Sequence, residues 1–140
     1  MIPTPPYAYI PGQTPRHDEA LFAEFAASVE CDDLTHSLAW RAGLHYLEHG
    51  FFWESHEALE PVWMVTPPNS AERHMVQALI QFANASLKLA MQRPKAALRL
   101  CDIADEHLGF CTAMVMGLDV EAWRQKLQRL RSSVVLISAL

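Results

Sequence analysis

Apolar residues return at every third or fourth position along most of the chain, the spacing of a helix face and not of a half-buried strand. Leu21, Phe22, Phe25 and Ala26 trace one such stripe and predict a first helix over residues 18–29, with Asp18 as its N-cap. Leu34, Leu38, Ala42 and Tyr46 predict a second over 33–49, which Gly50 is placed to end. A third spans about 51–65. The run Thr66-Pro67-Pro68-Asn69 then breaks the chain, and Ser70 can cap a fourth helix over 71–92. Pro94 suits the first turn of a fifth helix reaching about 108, and Asp119 can cap a last one to about 131.

The two ends read differently. Pro3, Pro5, Pro6, Pro11 and Pro15 fix φ and remove backbone donors, so residues 1–16 are an irregular arm, with Tyr7, Tyr9 and Ile10 to lay on the domain surface. Residues 132–140 are an apolar, partly β-branched tail that packs on the domain, pairs with a partner chain or frays. Alternating segments between turn signals are missing, which argues against a sheet. The expected architecture is all-α: a single-domain bundle of about six helices over 17–131, an arm over 1–16 and a tail over 132–140.

Composition narrows the setting. A chain of 140 residues, 51% hydrophobic and 19% charged, can bury a core and is not a disordered sequence. A net charge of -5 argues against nucleic acid, which needs a basic field. The local basic run Arg124 to Arg131 is interleaved with Leu127 and Leu130 at helical spacing and reads as the solvated face of an amphipathic helix. Cys31, Cys101 and Cys111 form no CxxC pair and lie in apolar stretches, so buried free thiols in a reducing compartment are expected. The first residues lack a secretory pattern, and no apolar run approaches the roughly 20 residues needed to cross a bilayer. A cytoplasmic protein without membrane contact is the expectation. The mean hydropathy of +0.02 is high for a small soluble chain and points to very complete burial or to a homo-oligomer.

Candidate chemistry concentrates on the third helix. At 100° per residue, Trp53, His56, Glu57, Glu60, Trp63 and Met64 share an arc of about 120°. An ordinary amphipathic helix separates carboxylates from aromatics; here two tryptophans bracket a histidine and two glutamates. Pro61 leaves the Glu57 carbonyl without its helical donor. On the fourth helix Gln77, Gln81, Asn84 and Lys88 fall within about 60° of one another, with Arg73 extending the line. A stripe of amides that both donate and accept suits a buried or semi-buried network, and it is the expected counterpart across an antiparallel helix contact.

Three uses compete for this face. His56 and Glu60, one turn apart, could ligate a divalent metal, with further ligands from His74 or His107; His45 and His49 form a rival pair. Trp53 and Trp63 could wall a pocket for a small molecule oriented by His56, Glu57, Glu60, Gln77, Gln81 and Asn84. In an enzyme, Glu57 or Glu60 would be the general base and His56 the orienting or ligating group. In the third use, the cluster is a buried hydrogen-bond and ion-pair network in a non-catalytic interaction module. A resident cofactor is not expected beyond that metal. Ser55 adjoins His56 but points about 100° away, so the two form no nucleophilic pair.

The pattern Gly50-x-Phe52-Trp53-Glu54-x-His56-Glu57-x-x-Glu60-x-x-Trp63, followed by Leu79-Ile80-Gln81, resembles the small helical proteins of domain-of-unknown-function family 309 over about residues 40–108. The resemblance implies an all-α bundle of bacteria and archaea, with His56, Glu57, Glu60, Trp63 and Gln81 as pattern positions. It implies no activity, cofactor or substrate. Glu48, His45 and His49 do not match the pattern, and the arm and the tail lie outside it.

Overall fold

The computed structural model describes residues 1–138, in six α-helices and one short hairpin. They fall into two compact units, Met1–Val65 and Thr66–Leu140, whose boundary lies at the Thr66-Pro67-Pro68-Asn69 break. The apolar positions are helical as the spacing predicts, but several boundaries differ, each for a local reason.

In the first unit, α1 is only Glu24–Ser28. The chain before it is a 3-10 turn over Glu19–Phe22, because the Asp18 carboxylate accepts from Ala20 N–H at 3.0 Å and tightens the start. Asp33 does the same to Thr35, so a second 3-10 turn over Leu34–His36 precedes α2. That helix, Leu38–Glu48, begins where Ser37 Oγ accepts from Trp40 N–H at 3.2 Å. Gly50 does end it: at φ +83° it lets Phe51 N–H reach back to the Tyr46 carbonyl at 2.8 Å, a Schellman closure.

The chain then enters α3, Phe52–Val65, which runs through Pro61. Helices α2 and α3 pack tightly. A Cβ on Gly43 would lie 2.4 Å from Leu59 Cδ2, so only glycine allows the approach. Ser55 Oγ, fully buried, donates to the Gly43 carbonyl at 2.7 Å and pins the register. The arm is irregular, as its prolines predict, and Pro5 is buried.

In the second unit, α4 (Ala71–Ala90), α5 (Pro94–Leu108) and α6 (Val120–Ser138) pack in succession. Ser70 caps α4 by accepting from Arg73 N–H, and Pro94 opens α5. Met75, Leu79, Ala97, Cys101, Ala104, Leu108 and Leu127 are buried, and Phe82 meets Trp123 edge-on at 5.5 Å. Two expectations change. The argument against a sheet meets a minimal exception: β1 (Met114–Val115) pairs with β2 (Leu118–Asp119) around Met116 and Gly117, both at positive φ, as a two-residue hairpin turn requires. The last helix does not stop near 131. Val134, two turns beyond Leu127, continues the buried stripe and carries the helix to Ser138, while residues 139–140 of the tail lie outside the described residues. No helix among the described residues is long and apolar enough to cross a membrane. Cys101 and Cys111 are buried free thiols, whereas Cys31 is exposed: it lies in the Glu30–Asp33 loop, not on a core-facing helix stripe.

Candidate functional site

Helix α3 divides into two faces. Glu54, Ser55, Ala58, Leu59 and Val62 are buried, at the spacing of one helix side. Trp53, His56, Glu57 and Trp63 are half-buried and Glu60 is exposed, on the side where the wheel collects them. Because Gly43, Leu59 and Ser55 fix the buried face, the open face is held at a defined orientation.

On that open face His56 Nε2 lies 3.5 Å from Glu60 Oε2, with side chains 30% and 52% exposed. One ligand atom from each of His56, Glu57 and Glu60 falls within 4.8 Å of the others. The Glu57 carboxyl is pushed above the ordinary carboxylate range, chiefly by burial and further by Glu60; His56 and Arg16 pull it back. Two carboxylates and an imidazole converging on one half-open point can hold a cation, and a cation there would offset the repulsion between Glu57 and Glu60.

The carboxylate that is truly enclosed is Glu54, which carries no candidate role in the sequence reading. Its side chain is 0% exposed, and its Oε2 accepts from Tyr9 N–H at 2.7 Å and meets His17 Nε2 at 2.6 Å, the His17 side chain being 2% exposed. Its other oxygen, Oε1, is buried with no hydrogen-bond partner among the described residues. Aromatic rings close the region: Tyr7 stacks on His17 at 4.8 Å, Tyr9 meets Trp53 edge-on at 5.0 Å, and Phe22 lies against Trp53 at 5.8 Å. Tyr46 O–H donates to the Pro3 carbonyl, and burial together with the Glu54 charge pushes its pKa up to about 12. The proline arm is thus tied to α3 and α2 by buried polar contacts. One signal for this was available: Glu54 shares a wheel sector with Ala58 and Val62, and a carboxylate on an apolar face must find partners.

The other candidates are distributed as follows. Gln77, Gln81, Asn84 and Lys88 are all half-buried on α4, in the second unit. Arg73 Nη1 donates to the Thr66 carbonyl at 3.0 Å. His74 and His107 face each other, Nδ1 to Nδ1 at 3.0 Å, with Phe110 stacked on His74 at 4.3 Å. Burial, and then the neighbouring His74, push His107 below its ordinary pKa. His45 and His49 are exposed and stack at 4.2 Å, and His49 Nδ1 meets the His45 carbonyl. Ser55 is a buried structural donor, consistent with its exclusion as a nucleophile.

No curated protein and no solved structure matches the chain. A family model does match, over residues 40–100, a span that holds the whole of α3 together with Gln77, Gln81 and Asn84 and leaves out Tyr9, Arg16 and His17. That model is the Domain of unknown function (DUF309), the family that the α3 motif resembles, and the chain is similar to it over that segment.

Proposed function

We propose that this protein binds a divalent cation on the open face of α3, with His56, Glu57 and Glu60 as its ligands. The observation that carries the reading is the convergence of one imidazole nitrogen and two carboxylate oxygens within 4.8 Å on a half-exposed helix face. A mixed nitrogen and oxygen donor set suits manganese, iron, cobalt or zinc and not a soft ion. Three protein ligands leave coordination positions for water or a small molecule, the arrangement of catalytic and not of structural sites. Trp53, half-buried on the same face, would form one wall for such a molecule, and Trp63 another. In a hydrolytic use, the ion would activate a bound water, and whichever of Glu57 and Glu60 is released from the ion would be the base. The amides of α4 are not needed as ligands in this reading. The buried free thiols Cys101 and Cys111 support a cytoplasmic location.

The alternative use of the triad, as a buried ion-pair network, has less support. Exposures of 30% and 52% at His56 and Glu60 leave both groups in contact with water, and the enclosed pair in this unit is Glu54 with His17. The test is a titration of chelator-treated protein with Mn(II), followed by the loss of the free-ion electron paramagnetic resonance signal. One ion per chain is expected for the wild type. His56→Ala and Glu60→Gln should abolish binding while melting close to the wild type; no saturable uptake by the wild type would overturn the assignment.

A further inference from the structure

The arm ends in two residues of opposite exposure, Arg16 open to solvent and His17 enclosed. Pro15 fixes the backbone before Arg16, and His17, locked to Glu54 inside the unit, fixes it after. Arg16 is exposed between them, and its guanidinium lies over the Trp53 ring at 5.9 Å from the centroid. Trp53 precedes His56 by three positions and Glu57 by four, so ring, imidazole and carboxylate lie on one helix face. Arg16 is close enough to this face to act on the Glu57 carboxyl through space, but it forms no direct ion pair among the described residues.

A permanent cation fixed beside a metal site calls for an explanation. By itself it opposes the ion that the triad would hold, since like charges repel. The opposition disappears when an anion is shared between them. A divalent ion on two carboxylates and a neutral imidazole is already balanced, so Arg16 leaves the occupied site with one positive charge in excess. A planar guanidinium presents paired donors that match the oxygens of a carboxylate or phosphate. Its seat over an indole ring restricts its orientation without occupying its N–H groups.

We propose that Arg16 is the specificity residue of the α3 site and that the ligand completing the ion's coordination is an oxyanion, a phosphate or carboxylate group bridging the metal and the Arg16 guanidinium. This inference rests on the metal reading of His56, Glu57 and Glu60 and adds to it the chemical class of the ligand. It also gives the arm a role in binding: His17 is a positioning residue that holds Arg16 over Trp53.

The experiment uses the full chain in two stages, so that the two readings fail separately. Mn(II) is titrated first, into the wild type and into Arg16→Ala and Arg16→Lys. Inorganic phosphate and, in a parallel arm, acetate are then titrated into each Mn(II)-loaded protein by calorimetry. The expected result is Mn(II) binding in all three proteins, similar in the wild type and Arg16→Lys and no weaker in Arg16→Ala, where the repelling charge is gone. Anion affinity should be weakened about tenfold or more in Arg16→Ala, the worth of one charge-assisted contact, and partly restored in Arg16→Lys. Phosphate binding stronger than acetate binding would assign a phosphoryl ligand, and the reverse a carboxylate; either supports the oxyanion. Mn(II) binding with no anion binding, or with anion binding indifferent to Arg16, overturns the role of Arg16 and leaves the metal site standing. No Mn(II) binding in the first stage overturns both.

Discussion

Glu54 and Glu57 stand three positions apart on α3 and meet opposite fates. Glu54 is sealed from solvent with His17 and the Tyr9 amide, while Glu57 shares a half-open face with His56, Glu60 and Arg16. The difference is one of geometry. Positions 54, 55, 58, 59 and 62 take the side packed within the unit, and positions 53, 56, 57 and 60 take the other. A carboxylate on the inner side must be answered by donors or it cannot be tolerated. On the outer side the same group can remain unanswered until a ligand arrives. Acid residues in one motif therefore serve two purposes, and burial, not residue type, tells them apart.

The sharpest way to break this comparison is to remove the inner acid. Glu54→Ala leaves His17 and the Tyr9 amide buried without their acceptor, and should cost about 3–5 kcal/mol in urea unfolding. A loss below about 1 kcal/mol would mean that the inner pair is not the anchor described. Next in size is Tyr46→Phe, which removes the donor to the Pro3 carbonyl and should cost about 1 kcal/mol at neutral pH. The same variant sharpens the argument at high pH. With the folded pKa near 12 and the unfolded value near 10, the unfolded chain releases its proton first. Wild-type stability should fall as pH rises from 10 towards 12, and Tyr46→Phe should lack that part of the decline.

A smaller effect belongs to the second unit. His107 is held below its ordinary pKa, so as pH falls below about 6.5 the unfolded chain takes up a proton before the folded one does. Stability should decline towards pH 5, less steeply in His107→Gln, and Glu57→Gln should leave that difference untouched. The smallest effect is at the outer acid itself. Glu57→Gln relieves the repulsion from Glu60 and should change stability by no more than about 0.5 kcal/mol, in either direction, while Mn(II) binding weakens. A loss as large as that of Glu54→Ala would erase the distinction between the faces.

The reading of the sequence held wherever a local signal carried the information. Gly50, Ser70 and Pro94 mark helix ends because each acts on its own backbone within one turn. The grouping of His56, Glu57 and Glu60 follows from helix periodicity alone. What escaped depends on distant or competing partners. Glu54 finds its donors 37 and 45 positions away, in an arm whose docking no periodicity announces. Asp18 looked like a simple cap, but it bonds two residues on, as Asp33 does, and each draws a 3-10 turn in place of a longer helix. The β-branched residues after Arg131 favoured a non-helical end, until the burial of Val134 two turns beyond Leu127 overrode that preference. Met116 at φ 51° makes a hairpin turn without the Asn-Gly signature that would have revealed it.

The matched segment, residues 40–100, begins inside α2 and ends inside α5, and both partners of Glu54 fall before it. Expressed alone, that stretch would lose the rings and donors that cover Glu54 and Tyr46, opening that side of α2 and α3 to water, and would cut α5 at its middle. The matched segment is thus smaller than the set of residues that encloses Glu54, and a boundary drawn for expression belongs ahead of Pro3, not at residue 40.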